Sequence, residues 1–264
     1  MRQGWNPTRR NRKIGTKAQG YGLNNRLVIP SSWHSLQSYW EDLSSYVTVK
    51  RKMGDKEQVF IVEPTNKGWF YPCTVDDMAM LLQYCSPSDL ESFDIIIMRQ
   101  PTRKQKILSP VWGRAQFWTT ISKHHEGSAI IIESLSLTPY TWRKSLDPEF
   151  EREFERLKGD GHHIEANRRH FTISPTATSA RNTVLFRTLL HEIGHHIDYN
   201  RCSYEEWDGK TRQAKEDFAH RYAETQYQVL LGKSVVPFAP IIDPASLERD
   251  GLKLEWFISS DEYS

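Results

Sequence analysis

The chain has 264 residues, of which 38% are hydrophobic and 26% charged, with a formal net charge of +2. That is room for one large domain or two small ones in an ordinary globular composition, and a near-neutral balance that argues neither for nor against nucleic acid. No apolar run approaches the roughly 20 residues that cross a bilayer, and Cys73, Cys85 and Cys202 make neither a disulfide framework nor a C-x-x-C zinc knuckle, so a reducing, cytoplasmic setting is expected.

Residues 1–26 carry Arg2, Arg9, Arg10, Arg12, Lys13, Lys17 and Arg26, no acid, and no apolar segment directly after. They read as a basic flexible tail rather than a secretory signal, with nucleic-acid contact as a subsidiary reading. Residues 27–146 alternate strand-like and helix-like pieces and belong either to the catalytic domain or to a specificity module. Val59–Val62 reads as a strand ended by Pro64. Thr74 or Asp76 caps a short helix through Met78, Leu81 and Leu82. Ile95–Met98 is a second strand stopped by Pro101. Gln116–Ile121 and Ala129–Glu133 read as a pair joined through His124–Gly127. Trp112, Phe117, Trp118 and Trp142 are expected in the core or on the rim of a groove. The adjacent pairs His124-His125 and His162-His163 diverge and are expected at the surface.

Residues 147–264 read as the catalytic part. Asp147 caps and Pro148 opens a charged helix through Phe150, Phe154 and Leu157, which Gly159 and Gly161 end. His170–Ser174 is strand-like. A helix is then expected over Arg181–Tyr199, because Phe186, Leu190, Ile193 and Ile197 recur at offsets of 4, 3 and 4. A second helix runs from Thr211 to Leu231 with Gly232 as its stop, followed by a proline-rich stretch with little regular structure.

The first of these helices contains His191-Glu192-Ile193-Gly194-His195, of the form H-E-x-x-H. Two histidines four apart share a helix face, so their imidazoles can grip one ion, and the glutamate can reach a water on it. Catalytic zinc takes three protein ligands and keeps one position open. The metzincin pattern would place Gly and His at 198 and 201, where this chain has Asp198 and Arg201, and the inverted H-x-x-E-H order is absent. The third ligand expected is Glu216, at the head of an otherwise small or apolar stripe of Ala219, Ala223, Tyr227 and Leu230; Asp217 is the runner-up. A carboxylate on a buried stripe needs a partner. His196 points about 100° away from the pair and is expected to pack or face solvent. Asp198 either orients an imidazole or is solvated.

With HEIGH at 191–195 and Glu216 in the segment Glu216-Asp217-Phe218-Ala219, the chain resembles the gluzincins over roughly residues 165–231. More loosely it is similar to lethal-factor-type and ImmA/IrrE-type zincin domains. The resemblance implies an α+β, zincin-like fold: a twisted mixed sheet packed on the active-site helix, with the next helix carrying the third ligand. It also implies Zn2+ and hydrolysis of an extended peptide held on a strand edge. Asp94–Met98, Ala129–Glu133 and His170–Ser174 are the candidate edges. His220 stands where some gluzincins carry a second carboxylate. Glu192 is expected as general base, with Tyr222, His220 or Tyr199 assisting the oxyanion. The competing readings are a non-catalytic zincin-scaffold protein contacting nucleic acid through the basic arm, and a deformylase-like hydrolase, which lacks its E-C-L motif here.

Overall fold

The computed structural model describes residues 43, 45–102, 105–106, 111–122, 125–144 and 148–259. The proposed basic tail, the cap at Asp147 and His124 lie outside them. Everything described belongs to the unit Tyr39–Ser264.

The first hairpin pairs β1 (Val47–Met53) with β2 (Lys56–Val62), antiparallel from Val47↔Val62 to Met53↔Lys56. Gly54 (φ +59°) opens its two-residue turn with Asp55, as a type II′ turn requires. Helix α1 (Val75–Leu82) follows. It begins at Thr74, whose hydroxyl accepts from the Asp77 N–H while the Asp77 carboxylate accepts from the Thr74 N–H. A single turn, α2 (Pro87–Leu90), leads into β3 (Ile95–Arg99). Strands β4 (Gly113–Ser122) and β5 (His125–Glu133) form a second hairpin. Its strands run up to residues 122 and 125, so the connection is shorter than the expected His124–Gly127.

These strands make one mixed sheet in the order β1-β2-β3-β5-β4. β2, β3 and β5 are mutually parallel, while β1 and β4 run antiparallel at the two edges. The runs Ile95–Met98 and Ala129–Ile132 are apolar at every position because both sheet faces are covered. Phe60, Val62, Ile96, Met98, Ile130 and Ile132 face the helices, and Ile61, Ile95, Ile97, Ala129 and Ile131 form the core of the opposite face. None of the three strands expected to offer a peptide-binding edge does so: β3 and β5 lie inside this sheet, and His170–Ser174 lies inside another.

That other sheet joins β6 (Tyr140–Arg143), β7 (His163–Ala166) and β8 (His170–Ser174) in the order β6-β8-β7, with α3 (Pro148–Gly159) between β6 and β7 in sequence. Next comes one long helical run in three parts. These are α4 (Ala177–Arg181), a π-helical stretch (Asn182–Thr188), and α5 (Leu189–Asn200) with the HEIGH sequence. The expected stripe holds: Phe186, Leu190, Ile193 and Ile197 are all buried. The π-helical stretch is not visible in the periodicity, and such insertions frequently sit beside functional sites. A short α6 (Tyr204–Gly209) precedes α7 (Arg212–Gly232), which continues through Gly232 and stops where Ser234 takes a positive φ. The proline-rich stretch contains one further helix, α8 (Pro244–Arg249). The architecture is thus α+β, with the helical face of the mixed sheet packed on α5. No helix among the described residues is long and apolar enough to cross a membrane.

Candidate metal centre

Helices α5 and α7 touch where each has its smallest residues. A β-carbon placed on Gly194 would lie 2.9 Å from the Ala219 Cα, 3.1 Å from its carbonyl oxygen and 3.2 Å from the Tyr222 Cβ. Only glycine at 194 permits that approach, and Ala219 and Ala223 complete it from the other side; both are buried. The contact sets the distance between HEIGH and Glu216, which lies one turn before Ala219.

At the mouth of this contact three side chains converge. The Nε2 atoms of His191 and His195 are 3.0 Å apart. A Glu216 carboxylate oxygen is 3.3 Å from the first and 3.7 Å from the second. Ligand atoms about 2.0–2.2 Å from one tetrahedral centre stand about 3.3–3.6 Å apart. The observed separations straddle that value, and two imidazole nitrogens with one carboxylate are a donor set zinc accepts. The residues therefore fit the metal that the motif implies. The histidine side chains are 13% exposed and Glu216 26%, so the cluster reaches solvent. Asp217 does not reach it: that side chain is half exposed, accepts from Gln213 and lies near Arg152.

Among protein charges alone, the close approach of the His191 and His195 imidazoles holds the Glu216 carboxyl well below the usual range. Burial works against a charge on His195, but the nearby Glu216 carboxylate and the fields of Glu192 and Asp198 outweigh it and raise its pKa. Glu192 is 7% exposed, and burial pushes its carboxyl up, against the histidine fields and a backbone hydrogen bond from Ala115 that pull it down. Ala115 lies on β4, which places the glutamate of the motif next to the edge strand of the sheet. β4 itself lies close on the helical run: a β-carbon on Gly113 would meet Thr188 Cγ2 at 2.7 Å.

His220 belongs to this cluster. Its ring lies 4.3 Å from that of His191, and one of its nitrogens falls within 4.8 Å of ligand atoms of His191 and Glu216. Its Nε2 is 3.1 Å from Arg156 Nη1. Burial, His191 and Arg156 together push its pKa down to about 3. Beyond it a cavity of about 710 Å³ opens between α3, the π-helical stretch and α7, lined by Arg152, Arg156, Arg187, His220 and Tyr227 among others.

Tyr222 and Tyr199 are placed elsewhere, against the expectation of a role at the oxyanion. The Tyr222 hydroxyl donates to Asp89 Oδ2 at 2.9 Å. Six residues after Glu216, it is carried by the helical period about 240° round α7. Tyr199 stacks on Phe117 at 4.3 Å and meets the Trp207 edge at 5.4 Å. Asp198 is neither solvated nor hydrogen-bonded to a ligand imidazole: it is buried and accepts from Lys210 Nζ at 2.6 Å. His196 packs, as expected, with its Nε2 3.0 Å from the Ala129 carbonyl oxygen. His162, expected at the surface, is buried and meets Thr183 Oγ1 at 2.8 Å. Trp118, expected in the core or on a groove rim, is 54% exposed, because its neighbour Phe117 takes the helical side of β4 and adjacent strand residues face opposite ways. Ala115 and Arg156 carry no sequence signal of a role here: one is an alanine in a strand and the other an arginine on a charged helix.

No protein-family model, curated protein or solved structure matches the chain.

Proposed function

We propose that this chain is a zinc-dependent endopeptidase of gluzincin type, with His191, His195 and Glu216 as metal ligands and Glu192 as general base. The observation that carries the reading is the convergence of those three donors at 3.0–3.7 Å beside the buried glutamate of the motif. Bound zinc would supply an acidified water and an electrophile for the scissile carbonyl. Glu192, its pKa raised by burial, takes a proton from the attacking water and delivers it to the leaving amide nitrogen. Ala115, whose backbone pulls on that carboxylate, lies on β4, the last strand in the order of the mixed sheet. An extended peptide pairing with β4 would thus pass directly in front of the Glu192 carboxylate, recognised largely through its backbone. His220, with one ring N–H to donate, is the side chain in this cluster suited to a developing oxyanion. Cys73, Cys85 and Cys202 are unpaired thiols, in keeping with a cytoplasmic setting.

The test is cleavage of an unfolded protein, with and without a chelator, by the wild type and by Glu192→Gln. Chelator-sensitive cleavage that the variant lacks, with zinc still bound, is the expected result. A wild type that binds zinc and cleaves nothing would favour a binding protein on the same scaffold, and cleavage indifferent to chelation would overturn the metal reading.

A further inference from the structure

His220 presents a chemical ambiguity that its neighbours resolve. By position alone it qualifies as a metal ligand, since one of its ring nitrogens lies within 4.8 Å of donor atoms on His191 and Glu216. Were it to bind alongside His195, the site would hold three imidazoles and a carboxylate. Four protein ligands make a closed, structural site with no position for water.

The guanidinium of Arg156 stands 3.1 Å from His220 Nε2. A guanidinium has only N–H groups to offer and keeps its proton under all ordinary conditions. The hydrogen bond therefore runs from Arg156 to His220, and Nε2 is the acceptor. An imidazolium would set two donors face to face, so the ring is neutral and its single proton sits on Nδ1. The Nε2 lone pair is then taken by Arg156, and Nδ1 carries hydrogen in place of a lone pair. Whichever nitrogen faces the cluster, neither can coordinate a metal.

Arg156 is itself held. It comes from α3, where its Nη1 is 3.5 Å from a Glu153 carboxylate oxygen. That carboxylate is anchored by both oxygens to Arg187 of the π-helical stretch, at 2.8 and 2.7 Å. Arg187 also donates to Asp160. The network ties α3 to the helical run that carries HEIGH, so the arginine's aim at His220 is built into the packing of these elements.

We propose that Arg156 is a positioning residue that bars His220 from the metal, keeping the centre at three protein ligands with one position open and leaving His220 as an N–H donor beside it. This rests on the zinc reading above. In chemical terms, the arginine decides between a catalytic and a structural metal site built from the same side chains.

The test compares wild type, Arg156→Met and Arg156→Lys, each checked for an unchanged circular dichroism spectrum. In metal-free protein, 15N-resolved imidazole NMR should find the His220 proton on Nδ1 in the wild type. The methionine variant should lose that preference and the lysine variant should keep it, since lysine still donates. In zinc-loaded protein, X-ray absorption should count two imidazoles per zinc in the wild type and the lysine variant, and three in the methionine variant. A proton on Nε2 in the wild type, three imidazoles in the wild type, or two in Arg156→Met would overturn the proposal while leaving a zinc site in place. A wild type that takes up no zinc would overturn the metal reading, and this proposal with it.

Discussion

Gly194→Ala probes how closely the third ligand depends on one backbone contact. The added methyl would sit 2.9 Å from the Ala219 Cα and 3.1 Å from its carbonyl oxygen, both main-chain atoms that no rotamer change can move aside. Carbon–carbon contacts relax near 3.5–4.0 Å, so α5 and α7 must separate by about 0.5–1 Å. Overpacking of this kind costs about 1–3 kcal/mol. Alanine recovers about 0.8–1 kcal/mol over glycine in a helix interior. The net loss is then about 0–2 kcal/mol, a few degrees in Tm for a unit of this size. The metal site is less forgiving, because ligand distances must hold to about 0.2 Å. Glu216 sits one turn from Ala219 and moves with it. Zinc binding should weaken by at least about tenfold, equivalent to 1.4 kcal/mol, while metal-free protein still unfolds cooperatively. Titration against a chromophoric chelator measures the first, and a thermal scan of metal-free protein the second. Unchanged zinc affinity in a folded Gly194→Ala protein would refute the claim that this contact sets the ligand geometry.

Other expectations follow from the same structure. Glu192→Gln should retain zinc and lose about 10²–10⁴-fold in kcat, read in a peptide-cleavage assay with metal analysis of the same sample. Glu216→Ala should weaken zinc by more than the roughly 10–100-fold that loss of an outer-shell partner costs, measured by competition titration. Tyr222→Phe removes the hydrogen bond to Asp89 and should cost about 1 kcal/mol of stability with peptidase activity unchanged; lost activity in a stable variant would return Tyr222 to the reaction. His196, buried and pushed down from 6.5 to about 4 by desolvation, favours the folded state only while neutral. Its contribution is complete above pH 6.5 and is lost as pH falls toward 4, by about 3 kcal/mol over that 2.5-unit shift. Denaturant midpoints across this range should fall in the wild type and fall less steeply in His196→Gln, where His220 still contributes; an unchanged slope would refute the assignment.

Much of the site could be read before the fold was known, because its parts follow helical periodicity. His191 and His195 share a face by spacing alone, and Glu216 stands out as the one acid on a stripe that the structure shows turned toward α5. The stripe argument also holds for Phe186, Leu190, Ile193 and Ile197. What escaped depends on contacts between elements. Arg156 meets His220 only because α3 packs beside α7, and nothing local to either residue announces it. The role proposed for β4 rests on its edge position, a property of the whole sheet; β3 and β5, named as candidate edges, are apolar at every position from Ile95 to Met98 and Ala129 to Ile132, which goes with their central place. Phe117 and Trp118 share one expectation, but adjacent strand residues face opposite ways: Phe117 joins Tyr199 and His196 on the helical side and Trp118 is exposed. The β1–β2 hairpin did leave a local sign. Val47, Val49 and Met53 alternate with Thr48, Lys50 and Lys52 ahead of Gly54-Asp55, and β1 has the alternating burial of an edge strand.

The most direct measurement is anomalous diffraction from crystals of the purified protein, recorded on either side of the zinc absorption edge. The account predicts a single strong peak enclosed by His191 Nε2, His195 Nε2 and the Glu216 carboxylate, with His220 hydrogen-bonded to Arg156 and unattached to the metal. No peak at that point in protein supplied with zinc, or one placed elsewhere, would contradict it.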